Sequence, residues 1–398
     1  MPGAWGSSRW VVAQPLYVVV ANKNTSCSWL ATLAYVAPHD HLPVPRHFPG
    51  RSSLLRFTQR RGAPQYRATG SLVSGVALAP QGQLPTISVV ICAYTLRRWD
   101  MLEAAIASCL DQTTPPEELL VCIDHNPELL ARCQAAAPEW CRNSTVVVTV
   151  VPNSLPGRLG SARTTALHLA RGEVVAFLDD DAVADPDWLR ILVQPFVQDA
   201  AVAVGGAPLA VFHAPEPRWF PPQFRWVFGC AYAGLPDRKA PLAHLIGANM
   251  AARRDALVAI GGFHSDNHDD MDMCHRLAHR YPENPILYEP QAVVYHNVTS
   301  DRLSWQYFWH RCFFVNRGKV QALRGMEDAA NLTAEVGFVL GSARGVVVEA
   351  VRRTRKGDPF GAIQLLVFVV GVVLAGAGHL SGRLWPERLG PMPSELNL

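Results

Sequence analysis

From Pro85 onward the chain breaks into short apolar runs separated by polar, helix-forming stretches. Ile87 to Ala93 (ISVVICA) is an apolar run of strand length, with a proline before it and a polar loop after it. Met101 to Leu110 reads as a helix, and Leu119 to Ile123 and Thr145 to Val151 as further buried strands. Ser161 to Ala170 reads as a second helix and Val174 to Leu178 as a fourth strand. Continuous apolar strands alternating with helices predict a mostly parallel α/β sheet covered on both faces. Ligands of such sheets bind beyond the carboxyl ends of the strands, so the polar residues after each run are where chemistry is sought.

The flanks read differently. Leu16 to Val20 and Trp29 to Val36 read as short strands or a helix, and the Pro-, Arg-, Gly- and Ser-rich stretch from Pro38 to Gln83 argues for irregular chain. The expected division is an N-terminal extension over 1–84, an α/β domain over 85–325 and a C-terminal membrane-associated region over 326–398. Phe360 to Gly378 carries one strongly polar side chain, Gln364. As a helix it would be roughly 28 Å long, about one hydrocarbon core. Arg352, Arg353, Arg355 and Lys356 precede it, which places the α/β domain on the cytoplasmic side of a cell membrane. Glycines at 361, 371, 376 and 378 leave three forms open: a full span, a hairpin with Val336 to Ala350 lying on the membrane, or a buried C-terminal helix.

Composition narrows the classes. A length of 398 residues allows two or three domains, and a net charge of +3 gives no argument for nucleic-acid binding. The nine cysteines include no CxxC pair and suit a reducing compartment, and Met1 to Gln14 lacks the long apolar core of a secretory signal.

Three polar features follow the strands. Tyr94 and Thr95 follow the first, and Asp124 follows Leu119 to Ile123. A carboxylate at such an exit accepts hydrogen bonds from a nucleotide base or ribose, or simply forms a capping turn. In the second, Gly157 to Thr164 (GRLGSART), two glycines precede a helix for which Ser161 is a candidate N-cap. The free amides and nearby arginines suit an anion such as a diphosphate, or only a loop and cap. In the third, the strand Val174 to Leu178 runs into Asp179, Asp180 and Asp181. Three carboxylates at the mouth of a buried strand repel one another, and a hard cation such as Mg²⁺ or Mn²⁺, shared with substrate phosphates, removes the conflict. A solvated acidic turn is the alternative.

With these residues in place, positions 87 to 320 resemble the family 2 glycosyltransferases of GT-A fold. The resemblance runs through ISVVICAY, Asp124, GRLGSART, FLDDDAVADPDWL and then GANMAARRDALVAIGGF followed by HDDMDMCHRL, in order and at the family's spacing. Within the family the pattern is similar to glucosyl-dolichyl-phosphate glucuronosyltransferases and related bacterial proteins. The resemblance implies that Asp124 contacts uracil or an equivalent base and that Arg163 lies near the diphosphate. It makes Asp179 and Asp181 a DxD motif, with Asp181 the direct metal ligand and Asp179 nearer the ribose. Asp269 and Asp270 stand where the family has a Glu-Asp pair, with Asp270 the candidate base, so Asp269 departs from the commoner pattern.

The implied reaction is an inverting transfer from a nucleotide-sugar donor, such as a UDP-sugar, to a lipid-linked or saccharide hydroxyl. Other residues keep two readings. His296, in VVYHNV, is a metal ligand, a diphosphate donor or a structural histidine. Arg302, Arg311, Arg317 and Lys319 hold a donor or lipid phosphate, or form the polar side of an amphipathic helix. The aromatic segment Trp219 to Phe228 meets sugar or lipid, or packs within the domain. His264, His268, His275 and His279 match no zinc motif and read as chance enrichment. Two competing functions remain: a nucleotidyltransferase on a similar fold, for which only Arg97 and Arg98 supply basic residues near the first strand, and a silent membrane scaffold, which intact acids at 179, 181 and 270 oppose.

Overall fold

The computed structural model describes residues 19–21, 84–264, 268–322 and 333–385. The runs Met1 to Gln14, Trp29 to Val36 and Pro38 to Gln83 lie outside the described residues. The strands are β1 (Val19–Ala21), β2 (Ile87–Ala93), β3 (Glu118–Ile123), β4 (Val147–Pro152), β5 (Val174–Asp179), β6 (Ala182–Ala184), β7 (Ala203–Phe212), β8 (Ala240–Pro241), β9 (Asn249–Arg253) and β10 (Ile286–Val298). The helices are α1 (Trp99–Leu110), α2 (Pro127–Trp140), α3 (Leu159–Leu169), α4 (Trp188–Leu192), α5 (Gln194–Gln198), α6 (Arg254–Ala259), α7 (Asp269–Arg280), α8 (Trp305–Ala322), α9 (Thr333–Arg355) and α10 (Phe360–Leu384).

One sheet runs β1-β4-β3-β2-β5-β9-β7-β10-β6, with β8 paired to β10. The four strands read from the sequence, β4-β3-β2-β5, are parallel. Beyond β5 the sheet is mixed: β9 is antiparallel to β5 and β7, β10 is parallel to β7, and β6 is antiparallel to β10. The expectation of a mostly parallel sheet therefore describes its first half. Alternate residues of β2 feed opposite cores: Ile87, Val89 and Ile91 pack with α1, α2 and α4, while Val90 packs with α3, α6 and α7. That is why the run is apolar apart from Ser88, whose buried hydroxyl donates to Glu118 Oε1 at 2.6 Å.

A third apolar cluster joins the 3-10 turn Pro222–Phe228, α8 and α10 through Phe220, Phe224, Phe228, Phe308 and Phe368. Helix α3 starts at Leu159, earlier than expected, and Arg158 occupies the N-cap without a side-chain cap. Ser161 is not the cap; its Oγ donates to the Arg158 carbonyl at 2.7 Å. Gly157 takes φ 119°, a conformation open to glycine and costly for other residues.

Candidate active site

Strand β5 delivers three carboxylates to the edge of the parallel half, and backbone alternation divides them. Asp180 is buried and turned away, with Oδ1 accepting from Arg98 Nη1 at 2.9 Å and Oδ2 without a hydrogen-bond partner among the described residues. Burial, with Asp181 and Asp179 adding to it against the pull of Arg98, pushes its acid up to about 7. Directed to Arg98, Asp180 stands apart from the group that Asp179 and Asp181 form. Asp180, expected as one of three carboxylates gathered at the strand mouth, is instead directed to Arg98.

Asp179 and Asp181 face the other way and meet His296. The Nε2 of His296 lies 3.1 Å from Asp181 Oδ1 and 4.0 Å from Asp179 Oδ2. One donor atom from each of the three lies within 4.8 Å of the others. His296 reaches this point because β10 carries a register shift between Glu289 and Val293 before pairing with β6. Gly206 of β7 allows that bulge, since a Cβ there would lie 2.0 Å from the Ala292 carbonyl oxygen. Cys230 Sγ lies 3.4 Å from Nδ1 of the same ring and fixes its orientation. Two carboxylate oxygens and an imidazole fit a divalent cation of the Mn²⁺ or Mg²⁺ kind.

Cationic groups surround the same carboxylate. Asp181 Oδ2 is 3.2 Å from Arg98 Nη1 and 3.4 Å from Arg302 Nη2. Burial opposes its ionisation, yet His296, Arg98 and Arg302 together hold Asp181 well below the usual carboxylate range. Burial likewise works against the His296 imidazolium, and Asp181 outweighs it and raises that pKa. Sequence reading missed Arg98 as part of this site. It also missed Asn297, whose Nδ2 and backbone N–H both donate to the Asp181 carbonyl, at 3.0 and 2.9 Å. The only available signal for Arg98 was its place just past the first strand.

Arg163 ties this group to the acids of α7. Its Nη2 donates to Asp179 Oδ1 at 2.9 Å and to the Gly247 carbonyl at 2.9 Å, and its Nη1 donates to Asp269 Oδ2 at 2.6 Å. The side chain is 3% exposed. Arg163, expected near the diphosphate, is a buried clamp between two acidic groups. Arg163→Met is expected to cost about 3–5 kcal/mol in chemical denaturation, because Asp269 is left buried without its counter-charge. Arg163→Lys is expected to recover only part of that, since an ammonium cannot bridge the same three acceptors.

Asp269 and Asp270 form the first turn of α7, where the helix N-terminus favours negative charge. Asp270 Oδ2 accepts from the Gly247 amide at 3.0 Å and Oδ1 from the Met271 amide at 2.7 Å. Burial, reinforced by Asp269 and opposed by Arg163, raises Asp270 to about 6. Burial raises Asp269 as well, against the pull of Arg163.

The remaining candidates lie around this centre. Asp124, at the end of β3, accepts from Asn153 Nδ2 at 2.9 Å, and Asn153 also bonds Ser161 and Thr165. Tyr94, at the end of β2, has its ring under Arg98 at 5.6 Å, and its carbonyl accepts from Asn126. Trp219 packs on Phe220, Trp305 and Phe308 at 5.6–5.8 Å between ring centroids, which is the packing alternative for that aromatic run.

Comparison with known proteins decides the family. The family model Glycosyl transferase family 2 matches residues 88–261. Glucosyl-dolichyl phosphate glucuronosyltransferase of Haloferax volcanii is 30% identical over 316 residues, 76% of this chain and 97% of the relative. The chain belongs to the family 2 glycosyltransferases. Succinoglycan biosynthesis protein ExoM of Rhizobium meliloti is 26% identical over 286 residues, 68% of this chain and 87% of the relative. Among solved structures, the mannosyltransferase PcManGT of Pyrobaculum calidifontis, in complex with GDP-Man and Mn²⁺, aligns with a TM-score of 0.47 at 16% identity, over 79% of this chain and 92% of that one. The segment matched by the family model holds Asp124, Arg163 and the three aspartates 179–181 at the end of β5, and ends before Asp269, Asp270 and His296. Family 2 membership brings the GT-A fold with it and sets aside nucleotidyl transfer.

Proposed function

We propose that this glycosyltransferase moves a sugar from a nucleotide diphosphate donor, a UDP-sugar, to a hydroxyl of a lipid-linked acceptor with inversion at the anomeric carbon. The observation that carries the reading is the Arg163 clamp. It sets the Asp179–Asp181–His296 group and the Asp269–Asp270 pair one guanidinium apart, so cation and base serve one reaction centre. Asp179, Asp181 and His296 would hold Mg²⁺ or Mn²⁺, which would supply positive charge against the departing diphosphate. Arg302 and Arg98 add donors on the same side, while Asp124 and Tyr94 receive the base. Asp270 takes the proton from the acceptor hydroxyl. The acceptor oxygen bonds to the anomeric carbon from the face opposite the diphosphate as that bond breaks. Incubation with UDP-glucose, UDP-glucuronate, UDP-galactose and GDP-mannose, each with Mn²⁺, tests this by the product's anomeric configuration in NMR. Retention of configuration, or no transfer from any donor, contradicts it.

Residues 85–325 form the catalytic unit in this reading, and the C-terminal helices hold it to a membrane. Among the described residues, Phe360–Leu384 is the one helix long and apolar enough to cross a membrane. Its packing favours an in-plane position. Gln364 Nε2 donates to the carbonyls of Arg218 and Phe220 near its start. A Cβ on Gly371 would lie 2.6 Å from the Phe224 ring, one on Gly378 2.1 Å from the Phe313 carbonyl, and one on Gly382 2.8 Å from the Arg317 carbonyl. The helix therefore lies on the catalytic unit from its first turn to its last, and crossing a bilayer would carry the charged α8 in with it. Its other face exposes Ile363, Leu366, Val369, Val373, Leu380 and Leu384, beside Val347, Val348 and Val351 of α9. Exposed Arg352, Arg355 and Lys356 at the turn between the helices complement anionic headgroups of a cytoplasmic leaflet. Alkaline carbonate is expected to release the protein from membranes, and Leu366→Glu with Val373→Glu to make it soluble with its melting temperature little changed. Retention after carbonate treatment would indicate a span.

A further inference from the structure

Two of the histidines that match no zinc motif, His268 and His275, gather with His244 and His379 around Lys319. His268 caps α7 and His275 lies two turns along the same face. His244 sits in the loop before Gly247, with its ring centroid 4.8 Å from that of His275. The His268 ring presses on α8 at Gly318, where a Cβ would lie 2.7 Å from Nε2. The next residue, Lys319, is 8% exposed, and His379 of α10 is 6% exposed. His244 Nδ1, His275 Nε2 and His379 Nε2 are buried with no hydrogen-bond partner among the described residues. Burial drives His244 and His268 down to about 3, and the charge of Lys319 adds to it in both. Asp272, the nearby acid on α7, is committed to Arg276 at 2.5 Å.

We propose that His244, His268, His275 and Lys319 form a phosphate subsite for the lipid-linked acceptor. The buried ring nitrogens His244 Nδ1 and His275 Nε2 are costly to leave unmet, and a phosphate oxygen beside the Lys319 ammonium supplies their partners through charge-assisted hydrogen bonds. Either ring nitrogen of a neutral imidazole can carry the proton, so each unmet nitrogen is available as a donor. The location matches the chemistry. His268 stands two residues before Asp270, and His244 three before Gly247, whose amide holds the Asp270 carboxylate. On the other side lie α8 and α10, the membrane-facing helix. A phosphate bound here joins a lipid tail in the bilayer to a sugar hydroxyl at Asp270. This inference rests on the reading of Asp270 as the acceptor-side base.

The test is titration of the full-length protein in detergent with citronellyl phosphate, citronellol and inorganic phosphate, by calorimetry. Binding of citronellyl phosphate is expected, with citronellol and inorganic phosphate each at least about 10-fold weaker. His244→Gln and His275→Gln are each expected to weaken citronellyl phosphate by about 10-fold or more, with unchanged circular dichroism as the fold check. The wild-type protein gives a second readout, since histidine ring NMR signals should shift on adding citronellyl phosphate and stay fixed on adding citronellol. Equal binding of citronellol, unmoved histidine signals or undiminished binding by both folded variants would overturn the subsite. Inorganic phosphate binding as tightly as the ester would overturn its assignment to a lipid. UDP binding with Mn²⁺, measured on the same sample, reports separately on the donor site.

Discussion

Asp181→Asn is expected to reduce sugar transfer by about 10³-fold or more and to remove Mn²⁺-dependent nucleotide binding. Asp181 is the point where the site's cationic groups meet: His296, Arg98 and Arg302 all lie within 3.4 Å of its carboxylate. An amide there keeps the shape and removes the charge. The cation loses an anionic ligand, and three basic groups face one another without their common partner. The effect therefore belongs to both binding and rate. Calorimetric titration of UDP with and without Mn²⁺ checks the first, and single-turnover transfer the second. Asp180→Asn is the control, because that side chain is turned toward Arg98. It is expected to be far milder, and equal losses in the two variants would contradict the division of the aspartates described above.

Asp270→Asn is expected to lower kcat by about 10²–10⁴-fold while leaving the donor's affinity nearly unchanged. The pH dependence gives an independent check. The base acts as its carboxylate, and its pKa is raised to about 6, so log kcat/KM should fall with unit slope as pH drops through that value. Activity is thus present above about pH 6 and lost below it, and the acid limb should be absent from the residual activity of Asp270→Asn. Asp269→Asn separates the two acids. Asp269 is bonded to Arg163 at 2.6 Å, so its loss should appear mainly in stability. A larger rate loss at 269 than at 270 would reverse their roles.

How much of this was legible in the sequence follows from the physics of each element. The parallel strands were readable because burial on both faces leaves nearly continuous apolar runs such as ISVVICA, broken only by Ser88. Strands β7 and β9 were not, because Gly205, Gly206, Ala207 and Pro208, or NMAAR, carry weak strand preference and owe their conformation to the sheet around them. The DDD signal gave the place of the metal group, while the turning away of Asp180 depends on Arg98, 82 positions earlier. Arg163 stands out in the sequence only as part of GRLGSART, while its partners come from the end of β5 and the start of α7, a proximity that only the fold creates. The histidine cluster gave no spacing signal because a loop, α7 and α10 each contribute to it, with Lys319 coming from α8.

The central claim is that Asp179, Asp181 and His296 share one divalent cation with the donor's phosphates. Pulsed EPR of the protein with Mn²⁺ and UDP tests it most directly. The account predicts a ¹⁴N coupling from an imidazole together with a ³¹P coupling from the diphosphate, with the ¹⁴N coupling lost in His296→Ala and both lost in Asp181→Asn. A ³¹P coupling with no imidazole nitrogen, unchanged by either substitution, would place the cation elsewhere and contradict it.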